Sequence, residues 1–83
     1  MKLPRDLSGR DLVKRLGRLG YVRERQSGSH MQLVCPASSN HPQHCITIPD
    51  HAALKVGTLA TILDKVAKAH GVTRDELTKQ LFD

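Results

Sequence analysis

The stretch from Tyr21 to Cys35, YVRERQSGSHMQLVC, narrows the folds open to this chain more than any other. YVRERQ alternates, with Tyr21, Arg23 and Arg25 on one side and Val22, Glu24 and Gln26 on the other, and Ser27-Gly28 then reads as a turn. SHMQLVC resumes the alternation. Successive strand side chains point to opposite faces, so Met31, Leu33 and Cys35 share one face and His30, Gln32 and Val34 the other. The polar, proline-bearing loop PASSNHPQH follows, and CITIP forms a third short strand ended by Pro49. Three strands with connections this short predict an antiparallel meander.

Helical spacing flanks the strands. Ser8 with Asp11 three residues later makes a capping-box-like start, and Leu12, Val13, Leu16 and Leu19 recur at helical intervals up to Gly20, predicting a helix over about residues 8–19. Arg10, Lys14 and Arg18, four apart, fall on its outer face. In GTLATILDKVAKAHG, Thr58 reads as the N-cap, Leu59, Ile62, Leu63 and Val66 as the apolar stripe and Gly71 as the stop. Thr73 and Glu76 make a second capping box, opening a short helix with Leu77 and Leu81 inward. A sheet with helices on one face satisfies every stripe, so the predicted class is α+β, in the order α-β-β-β-α-α.

Size and charge bound the function. A chain of 83 residues is expected to form one small domain over residues 1–83, burying roughly 60% of the surface its unfolded form exposes. A one-residue active site or a binding surface fits such a thin core; multi-step cofactor chemistry does not. No apolar run reaches the roughly 18–20 residues of a membrane span, and MKLPRDLSGR lacks the apolar stretch of a signal peptide, so a cytoplasmic protein is expected. There Cys35 and Cys45 stay as thiols, and both read as small buried apolar groups. The whole net charge of +5 lies before residue 26, where eight basic residues face Asp6, Asp11 and Glu24. Such a concentrated positive field attracts polyanions and is the electrostatic footprint of a nucleic-acid binder; a solvated helix face is the bland alternative.

Among the histidines, His30 has the most informative position. If Met31, Leu33 and Cys35 face the helices, His30 lies on the face that no element covers, open to solvent and ligand. An imidazole ordinarily titrates near neutrality and so can accept a proton, and Gly28 and Ser29 could lend backbone N–H groups to an anion. Spacing alone fits a surface histidine without a role equally well. His41, His44, Cys35 and Cys45 gather around one loop, yet C-x5-H-x2-H-C matches none of the paired spacings that fix a tetrahedral zinc site. His51 reads as a solvated turn residue and His70 as a favourable charge at a helix C-terminus. GxxxxGK[ST], GxGxxG and HExxH are all missing, and with Tyr21 and Phe82 the only aromatic residues there is no base-stacking platform.

LSGRDLVKRLGRLGYVRERQSGSHMQLV, then ITIPDH, then LKVGTLATIL, resembles the HicA family, the toxin ribonucleases of HicAB toxin–antitoxin modules. The similarity runs from about residue 8 to 82. Each element is short, but their order and spacing together are specific: a helix ending in Gly20-Tyr21, the triplet Gly28-Ser29-His30, TIP and a histidine after the third strand, and GTL opening the next helix. The resemblance implies a double-stranded-RNA-binding-domain-like fold, cleavage of mRNA, and a HicB-like antitoxin that blocks the active site. It also implies that His30 is the catalytic residue. Many members carry a second histidine or another polar residue after the triplet, where Met31 stands here, and the loop from Pro36 to His44 is longer than in the shortest members.

RNA brings its own nucleophile, the 2′-hydroxyl, so cleavage needs a base and stabilisation of the charge on phosphorus. His30 would be the base. The amides of Gly28 and Ser29, with Arg25 or Lys55, would stabilise the charge, and Lys14 would contact RNA; no metal or other cofactor is expected. The competing readings are a non-catalytic RNA-binding module and a zinc-stabilised adaptor.

Overall fold

The computed structural model describes residues 3–82. Its elements run α1 (Gly9–Leu16), a 3-10 turn (Gly17–Leu19), β1 (Val22–Ser27), β2 (His30–Cys35), β3 (His44–Pro49), α2 (Val56–His70) and α3 (Arg74–Phe82). The strands form one antiparallel sheet in the order β1-β2-β3. This is the α+β arrangement expected, and it is consistent with a double-stranded-RNA-binding-domain-like fold.

Local chemistry sets the helix ends. Ser8 caps α1, its Oγ accepting from the Asp11 amide at 3.0 Å. The helix tightens to 3-10 geometry three residues before its predicted end and stops at Gly20, whose φ of 99° a side chain would disfavour. α2 starts earlier than Thr58 predicts. Lys55 is the N-cap, with extended backbone and no side-chain cap, because Val56 and Gly57 already continue the helix; Thr58 lies within its first turn. Thr73 and Glu76 form the reciprocal capping box, each side chain accepting the other's amide at 3.1 Å.

The alternation of β2 reads out in full. Met31, Leu33 and Cys35 are buried against the helices with Ile48 of β3, and Leu12, Leu16, Leu59, Leu63, Leu77 and Leu81 close the core from the helix side. β3 touches both α1 and α2, and α3 packs on those two helices, so all the helices lie on one face of the sheet.

Two expectations fail at the sheet edges. β1 has an irregularity between Arg23 and Arg25, with Arg23 opposite Leu33 but Arg25 opposite Gln32. Glu24 is thus the extra residue of a bulge, and Arg23 and Arg25, expected on one side, point to opposite faces. Cys45, expected to be buried, is exposed, because its register opposite Val34 turns it away from the helices.

Candidate active site

β1 and β2 meet at a two-residue turn, Gly28-Ser29, one position later than the sequence suggests. Gly28 takes a φ of 59°, the positive first position that a two-residue hairpin of this kind asks of glycine. Ser27 stands opposite His30, and Pro49 flanks His30 from β3, so the histidine is the first residue held in the ladder on both sides. Its side chain is exposed on the face away from the helices, as the alternation predicts.

Registration defines that open face. Across from Gln32 lie Arg25 and Thr47, and across from Val34 lies Cys45. Arg25 shares the face with His30, and its Nε donates to Gln32 Oε1 at 2.8 Å, while its outer guanidinium nitrogens donate to nothing among the described residues. A shallow groove continues the face past Gln32, over Cys45 and Thr47, to Ile62 and Lys65 at the sheet edge.

The turn is fixed from behind. Ser29 O accepts the Asp50 amide at 2.6 Å, and Gly28 O accepts Gln26 Nε2 at 3.0 Å. Both carbonyls are taken, whereas the Gly28 and Ser29 amides donate to nothing among the described residues. Gln26 also donates to Asp50 Oδ2 at 3.0 Å, and Arg10 grips the same carboxylate with Nε and a terminal nitrogen at 3.0 and 3.2 Å. These bonds from Arg10 and then Gln26 hold the Asp50 carboxyl below the usual carboxylate range. α1 can reach this corner because Gly9 has no side chain: a Cβ there would lie 1.9 Å from Pro49 O. The Gly9 amide instead donates to His51 O at 3.0 Å.

Sequence reading missed this brace, since nothing local announces that Arg10 and Asp50, forty residues apart, will meet. The remaining site residues are dispersed. Lys55 is exposed at the start of α2, and Lys14 lines a groove on α1 with Asp11, Arg15 and Arg18. Lys14 lies on α1 and Lys55 on the approach to α2, both off the strands that carry His30 and Arg25. His51 is exposed beyond β3. His70 departs from its expected role as an isolated helix-end charge: it meets His41, His44 and Tyr21 in one cluster at the opposite end of β2 from His30.

No described helix is long and apolar enough to cross a membrane. Residues 9–71 match the family model described as HicA toxin of bacterial toxin-antitoxin. No curated protein and no solved structure matches the chain.

Proposed function

The chain belongs to the HicA toxin family of bacterial toxin–antitoxin systems, and from that membership we propose that it is an mRNA interferase, an endoribonuclease with His30 as general base. The observation that carries this reading is an exposed imidazole beside two backbone amides that donate to nothing among the described residues, on a turn whose carbonyls are already engaged. His30 takes the proton of a ribose 2′-hydroxyl as its oxygen attacks the adjacent phosphorus. The bond to the 5′-oxygen breaks, and that oxygen leaves with a proton from water. The Gly28 and Ser29 amides and the guanidinium of Arg25 stabilise the negative charge that builds on the phosphoryl oxygens. Lys55 and Lys14, off those strands, hold phosphates away from the cut. RNA engagement rests on phosphate contacts and the 2′-hydroxyl, given the scarcity of aromatic residues.

The base does not require a metal ion in this scheme. The partner is a HicB-like antitoxin that covers His30, with an acidic surface complementing the excess positive charge of the first 25 residues. Analysis of the product ends tests the chemistry. Products with a cyclic 2′,3′-phosphate and a 5′-hydroxyl are expected, and an RNA methylated at every 2′-oxygen should survive. Cleavage of that methylated RNA, or products with 5′-phosphates, would overturn the mechanism.

A further inference from the structure

At the far end of β2 the structure gathers groups that RNA cleavage does not use. Cys35, 2% exposed, ends β2 opposite His44 in the ladder, so the two side chains share a face. The loop between them doubles back through a bridge of Ser38 with His41, in which Ser38 N donates to His41 O at 2.9 Å, and the His41 ring lies against that of His44. His70, the last residue of α2, arrives from the helix layer. The ring centroids of His41 and His70 are 4.5 Å apart, and that of His44 lies 5.2 and 5.5 Å from them. One ligand atom from each of Cys35, His41 and His70 lies within 4.8 Å of the others.

We propose that Cys35, His41 and His70 bind a Zn2+ ion, with His44 completing a tetrahedral site. The tautomers favour it. His41 Nδ1 and His44 Nδ1 both lie against Pro42 O, at 3.1 and 3.0 Å. A carbonyl only accepts, so each neutral ring places its proton on Nδ1 and keeps a lone pair on Nε2. Metal-binding histidines are oriented in this way, by a carbonyl or carboxylate on the nitrogen that does not coordinate. His44 Nε2 now accepts from the Tyr21 hydroxyl, and a phenol has one proton to give. His70 Nε2, 3.2 Å from the same oxygen, is then the donor of that pair, which leaves its Nδ1 lone pair for a metal. Zn2+ suits this mixture of thiolate and imidazole, and tetrahedral bonds of its usual length place ligand atoms about 3.5 Å apart. Side-chain rotations that close the Cys35, His41 and His70 set by a little over about an ångström suffice, and His44 joins by turning its Nε2 away from the Tyr21 hydroxyl. Cys35, whose Sγ stands 3.7 Å from Leu19 O, gives up its thiol proton to solvent as the sulfur–zinc bond forms. Cys45, exposed on the other face, takes no part.

The ion would clip β2, the loop over residues 36–44 and the end of α2 together, away from His30. Titration of the untagged, metal-stripped full chain with Co2+ tests the site, because a cobalt–thiolate bond gives a near-ultraviolet charge-transfer band and tetrahedral cobalt gives strong visible bands. One equivalent should produce both, and Zn2+ should abolish them. Zn2+ at a hundred-fold excess over its Kd should raise Tm by about 10 °C or more. His41→Ala and His70→Ala should each weaken binding by more than the about 100-fold that an outer-shell partner is worth, while Cys45→Ser should bind as the parent does. Cys35→Ser should lose the charge-transfer band. A Co2+ spectrum without that band, or a Zn2+-induced Tm shift that persists in both histidine variants, would overturn the assignment. The two histidines are only half-buried loop and helix-end residues, so these variants keep the test decisive if Cys35→Ser fails to fold.

Discussion

Arg10 holds Asp50 by two hydrogen bonds, at 3.0 and 3.2 Å, and so ties the first turn of α1 to the residue that follows β3. Asp50 passes the restraint on, its amide to Ser29 O and its carboxylate to Gln26. The open-face histidine is therefore positioned from the helix side of the sheet, by residues that its own side chain never meets. A hairpin tip without such a brace would fray, and a base must be held within hydrogen-bond reach of its proton to act.

Acid should loosen this brace. The folded state holds the Asp50 carboxyl below its ordinary value, so the stabilisation is present above the unfolded value of about 3.9 and is lost as pH falls through the folded one. Asp50→Asn should be less stable than the parent at neutral pH and should lose less on acidification below about pH 4. Urea midpoints measured across this range check it, and parallel curves for the two proteins would contradict it.

Gly9→Ala should destabilise the fold by about 1–3 kcal/mol, the usual cost of overpacking. The obstacle is the backbone carbonyl of Pro49, which cannot rotate aside like a side-chain end. Gly17→Ala is the counterpart. A Cβ there meets nothing within 4 Å and the φ of −56° is ordinary, so it should be neutral or stabilise by up to about 1 kcal/mol. Denaturant unfolding of the two variants should shift in opposite directions or differ by the full cost at Gly9.

Arg25→Ala should lower the single-turnover cleavage rate by about 100-fold, the loss typical of removing one charge-stabilising donor, with little change in unfolding midpoint. Gln32→Ala should cost less, because it frees Arg25 without removing its charge. Equal losses in both variants would mean that the pair acts through the shape of the sheet and not through the guanidinium.

Where the fold was legible in the sequence, the signal was local. The alternation of Met31, Leu33 and Cys35 fixed the buried face of β2, and the box of Thr73 with Glu76 placed the start of α3. The bulge at Glu24 was hidden because it arises from how β1 pairs with β2, and a strand read alone shows only its own period. Cys45 misled for a similar reason. A cysteine is commonly buried, and only its position opposite Val34 turned it outward.

The candidate site divides in the same way. His30, its exposure and its glycine turn could be read from nine consecutive residues. The brace could not, since Arg10 looked like one of several outer-face cations and Asp50 like a turn residue until α1 and β3 were brought together. His70 illustrates the point most clearly: it stands 26 positions after His44, and no spacing rule joins them, although their rings lie 5.5 Å apart in the fold.

The most direct measurement compares RNA cleavage by His30→Ala with that by the parent, under single-turnover conditions and alongside RNA affinity and the urea midpoint. The ring is exposed, so folding and binding should be retained while cleavage falls by about 100- to 10,000-fold, the worth of a positioned general base. A folded variant that cuts RNA as fast as the parent would show that the imidazole is not the base.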